Sequence, residues 1–163
     1  MEVRIRLPRV VERYLSKLGV DPEHYLLDVL ISKLPLDPEE ELEVHIELAR
    51  RFLNEGLRLV ERDPVQASEK LYKAAEEAVK ALIIRHKLTD IVERVRERGR
   101  WRYEDFFEGI SRLRKIYGDD VRRWWGTAWE LHVWGFHEAK ASRQYLEERI
   151  EDVRKLVGLV ESS

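Results

Sequence analysis

The sequence predicts an all-α protein, an up-and-down helical bundle in which short turns join antiparallel helices. Three Asp-Pro pairs, at positions 21–22, 37–38 and 63–64, are typical of helix starts. The aspartate caps backbone N–H groups that have no helical partner, and proline suits the first helical position. Apolar residues then recur every three or four positions with charged residues between them, which indicates amphipathic helices.

The first 36 residues are predicted to form an appendage made of a short strand and two helices. Apolar and basic side chains alternate at its start, in the order Val3, Arg4, Ile5, Arg6 and Leu7. Gly19 separates a short first helix from a second one expected from Pro22 to about residue 34. A strand followed by two helices is similar to ribbon-helix-helix DNA-binding dimers, in which Arg4 and Arg6 would contact bases. A dimer-forming arm and an arm packed on its own chain are the alternatives.

Residues 37–163 are predicted to form the bundle itself. Long helices are expected over residues 38–62, 64–86 and 137–161, with shorter ones near 89–98, 103–116 and 119–130, separated at Gly99, Gly118 and Gly135. The second long helix carries a stripe of alanines, which lets a neighbouring helix approach closely, so we expect it to be central. The last helix repeats apolar residues at a 4-3-4-3 spacing from Leu146 to Val160, which indicates a packing seam or a dimer seam.

The helix over residues 64–86 also has a charged face. Lys73, Glu76, Glu77 and Lys80 lie opposite the alanine stripe at helical spacing. Opposite charges at positions i and i+4 are typical of an exposed surface, so we expect this face to be solvated. A polar site that faces a second subunit is the alternative.

The composition excludes several classes of protein. The chain has no cysteine, so disulfides, iron–sulfur clusters and cysteine-based zinc sites are excluded. Charged residues make up 38% of the sequence, and asparagine, glutamine and methionine are rare, which is typical of thermophilic proteins. No apolar stretch is long enough to cross a membrane and no signal peptide is recognisable, so we expect a cytoplasmic protein without membrane partners.

The charge balance hides two local basic patches. The 30 basic and 32 acidic residues nearly cancel, which excludes a generally polycationic nucleic-acid binder. Residues 1–20 nevertheless carry five basic and two acidic side chains, and residues 85–102 carry seven and three. Residues 21–64 carry five basic and twelve acidic ones. The candidates for nucleic-acid contact are Arg4, Arg6, Arg98, Arg100 and Arg102; an exposed, ion-paired surface is the alternative for the second patch.

Aromatic residues and histidines crowd the segment 124–138. Trp125, Trp129 and His132 follow one another at helical spacings of three or four residues. A pocket that stacks a base or nucleotide would use Trp129, His132, Trp134 and His137, with Arg122 or Arg123 for the phosphate. The alternative is that the same aromatic residues fill the core and that His132 is hydrogen-bonded inside it.

The two histidines of this segment do not have the spacing of a metal pair. His132 and His137 are five positions apart, and residues that share a face of an α-helix are three or four apart. The sequence also lacks a glycine-rich phosphate loop and a nucleophilic serine motif. We therefore expect neither a metal site nor a cofactor.

Three stretches of the sequence resemble a known family. Residues 62–84 (RDPVQASEKLYKAAEEAVKALII), 99–103 (GRWRY) and 128–138 (AWELHVWGFHE) look like the motifs of the archaeal PaREP family, first subfamily, in the same order and spacing. That family is similar to the HEPN superfamily. The resemblance implies an up-and-down helical bundle, frequent homodimers and, by family analogy, a nucleotidyltransferase partner.

The resemblance also allows a test for catalysis. Many HEPN proteins are metal-independent ribonucleases in which four to six residues separate an arginine from a following histidine. Such a pair moves the proton of the 2′-hydroxyl and steadies the phosphate charge. No histidine here has that spacing, and the nearest pair, Arg123 and His132, has eight residues between them.

The sequence therefore predicts a dimeric, non-catalytic module that binds a protein partner, a nucleotide, RNA or DNA. A toxin-like ribonuclease that uses His132 or His137 with Arg122 or Arg123 is one alternative. A DNA-binding regulator that uses the N-terminal strand is the other.

Overall fold

The structure is a computed structural model that describes residues 1–161, and these residues are all helical or coil. The α-helices are α1 (Arg9–Leu18), α2 (Pro22–Lys33), α3 (Pro38–Leu59), α4 (Pro64–Arg85), α5 (Thr89–Arg98), α6 (Tyr103–Tyr117), α7 (Asp119–Glu130), α8 (Arg143–Glu147) and α9 (Ile150–Glu161). A π-helical segment, Leu131–His137, continues α7 without a break. None of these helices is long and apolar enough to span a membrane.

The three Asp-Pro pairs start helices as predicted. In each pair the aspartate side chain accepts a hydrogen bond from the backbone N–H three residues further on, and proline occupies the first turn. At the start of α3 the bond is reciprocal, because the Glu40 carboxylate also accepts from the backbone N–H of Asp37. Helices α2, α3 and α4 therefore begin where their local sequence specifies.

Helix α4 is the centre of the bundle, as the alanine stripe predicts. It packs antiparallel to α3 and also contacts α6, α7, the π-helical segment and α9. The stripe is fully buried and consists of Ala67, Leu71, Ala74, Ala75, Ala78 and Leu82. Small side chains bring the neighbouring helices close to the α4 backbone.

The C-terminal third is more broken than the sequence predicts. A single helix over residues 137–161 is wrong: the chain turns after His137, where Ala139 has a φ of 53°, and α8 and α9 follow. The side chain of Ser142 restarts the helix by accepting a hydrogen bond from the Tyr145 N–H at 3.1 Å. Gly135 lies inside the π-helical segment instead of ending a helix.

The apolar seam of the last helix packs inside the chain. Four of its members are buried against the rest of the bundle: Leu146, Val153, Val157 and Val160. Helix α9 contacts α3, α4 and α7. The seam is therefore a packing seam and provides no separate surface for a dimer.

The predicted N-terminal strand is wrong. Residues 1–8 have no regular secondary structure, and Val3 and Ile5 are 69% and 64% exposed. A strand needs a neighbour to pair its backbone groups, and no segment of residues 1–161 provides one. Arg4, which forms an ion pair with Glu2 at 3.5 Å, and Arg6 are exposed on this coil.

Helix α2 lies on the charged face of α4. Its side chains Asp21, His24 and Asp28 all reach α4 residues, and none of its residues is fully buried. Leu27 and Ile31 add partly buried apolar contacts with the core. Polar contacts thus hold α2 on the bundle to an unusual extent.

Candidate functional site

One face of α4 carries a row of polar side chains that the fold covers. We call it the polar row, and it consists of Glu69, Tyr72, Lys73, Glu76, Glu77 and Lys80. The expectation of a solvated face is wrong, because Lys73, Glu77 and Lys80 are 4%, 0% and 0% exposed. Charged side chains are buried only when they find partners, so the contacts of the row identify the site.

Glu77 is the centre of the first cluster. Its Oε1 accepts from His24 Nε2 at 2.8 Å and from Lys80 Nζ at 2.8 Å, and its Oε2 accepts from His45 Nδ1 at 2.5 Å. Lys80 Nζ also donates to Asp28 Oδ1 at 3.0 Å. The buried carboxylate therefore binds side chains from α2, α3 and α4 at once, and it fastens α2 to the bundle.

The two histidines of this cluster are stabilised in their charged form. Burial alone lowers the pKa of His24, but the hydrogen bond to Glu77 and the charges of Glu76 and Glu77 outweigh it and raise the pKa above 6.5. Burial also opposes the charge of His45. The Glu77 charge, the hydrogen bond to Glu77 and the Glu41 carboxylate 3.9 Å from Nε2 nevertheless raise the pKa of His45 as well, although the Lys80 charge opposes the shift for both rings.

The pKa of the Glu77 carboxyl group and the pKa of the Lys80 ammonium group shift in opposite directions. Burial raises the pKa of the Glu77 carboxyl, but the charges of Lys80 and His45 and the two histidine hydrogen bonds hold it well below 4.5. Burial likewise disfavours the Lys80 ammonium, whereas the charges of Asp28, Glu77 and Glu76 raise its pKa above 10.5. In all four groups the surrounding charges and hydrogen bonds thus favour the charged form.

His132 is the centre of the second cluster, at the N-terminal half of the polar row. Its Nδ1 lies 2.9 Å from Glu69 Oε2, and its Nε2 lies 2.9 Å from the Tyr103 hydroxyl and 3.2 Å from His137 Nε2. His132 is buried, whereas His137 and Tyr103 are exposed. The carboxylate can only accept, so the Nδ1 of His132 carries the hydrogen and its Nε2 points toward solvent-accessible groups.

The π-helical segment explains why the two histidines meet. Its hydrogen bonds run from residue i to i−5, as from the Glu138 N–H to the Val133 carbonyl at 3.0 Å. Residues five apart then share a face, so the argument that His132 and His137 lie on different faces is wrong. The Ser68 hydroxyl donates to the Leu131 carbonyl at 2.7 Å and fixes this wider turn on α4.

Gly135 lets the π-helical segment approach α4. A Cβ atom at this position would collide with the Ser68 side chain and lie 3.3 Å from the Tyr145 ring. Only glycine permits this distance between the two backbones. The π-helical segment that pairs the histidines therefore depends on this close contact with α4.

Aromatic rings surround the second cluster. Tyr72 stacks on His132 with ring centroids 4.1 Å apart, and Trp129 lies 5.5 Å from the same ring. Tyr103 and Phe107, one turn apart on α6, both pack edge-on against Trp129, at 4.8 Å and 5.3 Å. Tyr103 and Phe107 are each 45% exposed, so these two rings and Trp129 form a surface that we call the aromatic surface.

The predicted ligand residues only partly converge. Trp129, His132 and His137 come together as proposed, but Trp134 packs against Tyr145 at 4.8 Å, outside the His132 cluster. Arg123 forms an ion pair with Asp120 at 3.0 Å. Arg122 is exposed on the α7 face that carries Trp129, seven positions earlier.

The arginines of residues 94–102 mostly have partners within the chain. Arg94 and Arg98 both bind the buried Asp105 carboxylate, at 3.2 Å and 2.8 Å, and Arg96 binds Glu41 at 2.7 Å. These three side chains therefore hold α5 to α6 and α3. Arg100 and Arg102 are exposed and make no ion pair within residues 1–161.

Several site residues were missed from the sequence. Glu69 and Tyr72 lie one and two turns after the start of α4, and Tyr103 and Phe107 begin α6. Tyr103 ends the GRWRY motif, so that motif was a usable signal. Glu69 and Tyr72 lie in the 62–84 motif, but their partner His132 is 63 and 60 positions away. Phe107 lies in none of the three motifs and meets Trp129 22 positions away.

The arrangement has definite chemical capabilities. A histidine whose Nδ1–H is held by a carboxylate has a fixed tautomer and a fixed ring orientation, so its other nitrogen serves as a base or as a ligand. The aromatic surface offers planar faces for stacking. In the Glu77 cluster both carboxylate oxygens are already bonded, and the second nitrogen of His45, Nε2, is buried 3.9 Å from Glu41 Oε1.

Comparison with known proteins assigns the family of the fold. The sequence model of the archaeal PaREP1/PaREP8 family matches residues 44–157. A crystal structure of a Sulfolobus solfataricus protein is 41% identical, with a TM-score of 0.59, and covers 74% of this chain and 93% of that one. A solution structure of the same structural-genomics target, also 41% identical, has a TM-score of 0.55 and covers 74% and 88%. No functionally curated protein matches the chain.

Proposed function

We propose that this chain, which belongs to the archaeal PaREP1/PaREP8 family, is a module that binds the base of a nucleotide or of single-stranded nucleic acid on its aromatic surface. The observation that carries the proposal is the exposure of Tyr103 and Phe107, each held edge-on against Trp129. Large exposed aromatic groups are rare on a free surface, and rigid ones suit stacking because little entropy is lost on binding.

Two exposed arginines flank this surface and suit a phosphate. Arg102 precedes Tyr103, and Arg122 lies two turns before Trp129 on α7. Neither guanidinium is in an ion pair within residues 1–161. A planar base on the rings and a phosphate beside either arginine account for both features.

Fluorescence anisotropy with labelled ten-nucleotide single-stranded RNA and DNA tests the proposal, with EDTA present. Phe107→Ala is expected to remove the binding free energy of stacking one base, about 1–3 kcal/mol. The dissociation constant should therefore rise roughly 5-fold to 150-fold. Ile116→Ala is the matched control, since Ile116 is 53% exposed near the end of α6, nine positions after Phe107. Equal binding by both variants and the parent contradicts the proposal. Competition with mononucleotides distinguishes a free nucleotide from a strand.

We also propose that the chain forms a homodimer through α1. Four apolar side chains on α1 are 41% to 62% exposed and give the helix an apolar face: Val10, Val11, Tyr14 and Leu18. The main contact of α1 is with α2. Residues 1–20 have a net charge of +3 and residues 21–64 one of −7, so a second copy offers a complementary surface. Light scattering of Val11→Glu against the exposed-site control Glu12→Gln tests this, and a monomeric parent chain contradicts it.

Acid–base catalysis is the second candidate, and the Glu69–His132 pair favours it. The pair resembles the oriented base of many hydrolytic enzymes in having one nitrogen fixed and one free. A ribonuclease would also need a cation beside the phosphate, for which Arg122 is the available group. Incubation of RNA with the parent chain and with His132→Gln tests this candidate, and identical cleavage by both contradicts it.

A further inference from the structure

We propose that His132 and His137, together with the hydroxyl oxygen of Tyr103, form a binding site for a divalent transition-metal ion such as Zn²⁺. Two further polar atoms lie beside His132 Nε2, His137 Nε2 at 3.2 Å and the Tyr103 oxygen at 2.9 Å. The site lies beside the aromatic surface, but it does not rest on nucleotide binding.

The separation of the two nitrogens fits a shared metal ion. Tetrahedral Zn²⁺ with bonds of about 2.0–2.1 Å holds its ligand atoms about 3.3 Å apart. The ring centroids of the two histidines are 4.4 Å apart with an interplanar angle of 78°, so the rings meet edge to face. His137 is exposed and adjusts by rotation of its side chain, whereas His132 is held in place.

The number of polar groups around His132 Nε2 also favours a cation at this site. A neutral His132 with its hydrogen on Nδ1 has one lone pair on Nε2, yet two polar groups lie within hydrogen-bond range of that nitrogen. One lone pair serves only one donor. A metal ion satisfies the nitrogen of each histidine and the tyrosine oxygen together.

The surroundings of His132 are those of a metal ligand. Glu69 accepts the Nδ1–H at 2.9 Å, and carboxylate–histidine–metal arrangements of this kind orient the ring and raise its basicity. Tyr72 stacks on the other side of the ring at 4.1 Å. The ligand is therefore preorganised, and the exposed Tyr103 and His137 leave access for the ion and for water as a fourth ligand.

A second group of donors fits a metal less well. His24, Glu76 and Glu77 also have ligand atoms within 4.8 Å of one another. The Lys80 ammonium already lies 2.8 Å from Glu77 Oε1, and His24 Nε2 binds the same oxygen. A divalent ion there would have to displace a buried cation, so the polar row favours the His132 end.

Isothermal titration of the chain, purified without a histidine tag and without nucleotide, tests the site with Zn²⁺. One equivalent is expected to bind, and Co²⁺ is expected to give visible absorption typical of low coordination number. His137→Ala is expected to weaken Zn²⁺ binding at least about tenfold, and Glu69→Gln by about 10-fold to 100-fold, the usual effect of an outer partner. Circular dichroism verifies that each variant is folded. His132→Ala removes the buried ligand and can unfold the chain, whereas His137 is exposed, so His137→Ala is the variant on which the test depends.

Two controls make the result decisive. His86 lies 2.6 Å from the Tyr117 hydroxyl but has no second histidine, so His86→Ala is expected to leave Zn²⁺ affinity unchanged. His24→Ala is also expected to leave it unchanged. Loss of binding in His24→Ala with full binding in His137→Ala overturns the proposal, and so does a parent chain that takes up no more Zn²⁺ than His137→Ala. Nucleotide binding is measured in the presence of EDTA and Zn²⁺ binding in the absence of nucleotide. The failure of one proposal is therefore independent of the other.

Discussion

Replacing Glu77 by glutamine tests whether the buried carboxylate holds α2 on the bundle. The side chain keeps its shape but loses its charge, so Lys80, which is 0% exposed, keeps only Asp28 as an anionic partner. The Glu77 carboxylate oxygens accept hydrogen bonds from His24 and His45. In glutamine an NH₂ group replaces one of these oxygens, so a donor then faces a donor. The substitution therefore removes the anion that Lys80 and the two histidine rings share.

The expected loss of stability is large. Removing one partner of a buried ion pair costs about 3–5 kcal/mol, because a charge is left uncompensated. In a domain of this size each kcal/mol lowers Tm by about 2–4 °C, so Glu77→Gln is expected to lower Tm by about 6–20 °C. Differential scanning calorimetry at pH 7 measures this, and hydrogen exchange of the α2 amides is expected to accelerate most.

A control and a rescue separate the charge effect from general damage. Glu47 on α3 forms an ion pair with Arg51, and the Glu47 side chain is 74% exposed. Glu47→Gln breaks this pair and is expected to lower the free energy of unfolding by about 0.5 kcal/mol or less. Lys80→Met in the Glu77→Gln background removes the orphaned ammonium and is expected to recover part of the loss. A loss below about 1 kcal/mol for Glu77→Gln, equal to that of the exposed control, refutes the reasoning.

Three further outcomes follow from the same contacts. The pKa values of His24 and His45 are raised above 6.5, so the stability that their charged forms contribute is fully present below that pH and is lost as the pH rises through the folded-state pKa values. A pH series of the hydrogen-exchange protection of the α2 amides, relative to the intrinsic exchange rate at each pH, measures this loss. Protection that stays constant between pH 6 and pH 9 contradicts it. Gly135→Ala is expected to cost about 1–3 kcal/mol through overpacking, read from thermal melts, although alanine is the better helix former; a neutral result contradicts the close approach. Asp105→Asn is expected to cost about 1.5–3 kcal/mol, because a buried carboxylate loses charged hydrogen bonds; urea unfolding that matches the parent contradicts this.

The parts of the fold that the sequence predicts are those with local causes. An aspartate before proline caps the helix that it begins, so α2, α3 and α4 start within a residue of the predicted positions. The alanine stripe of α4 likewise predicts its central position, since small side chains alone permit packing on several sides. The strand at residues 3–7 is wrong because alternation is necessary for a half-buried strand and does not supply the partner strand.

The polar row is the part of the candidate site that local patterns misrepresent. Lysine and glutamate at i and i+3 are typical of solvent-facing helix surfaces, and Lys80 with Glu77 follows that pattern. Their burial is decided by Asp28, 52 positions away, and by His45 on α3. Such partners appear only when the chain is folded, so periodicity alone cannot separate a solvated charged face from a buried network.

The two ends of the polar row differ in what covers them. Helix α2, outside the residues 44–157 that the family model matches, covers the Glu77 end with ion pairs. The π-helical segment, inside the matched residues, covers the Glu69 end and leaves His137 exposed. A change that loosens α2, such as a rise in pH, therefore uncovers charged groups without moving His132. Stability of α2 and occupancy of the His132 site should respond independently, and joint loss of both in Glu77→Gln would mean that α4 transmits the change along its length.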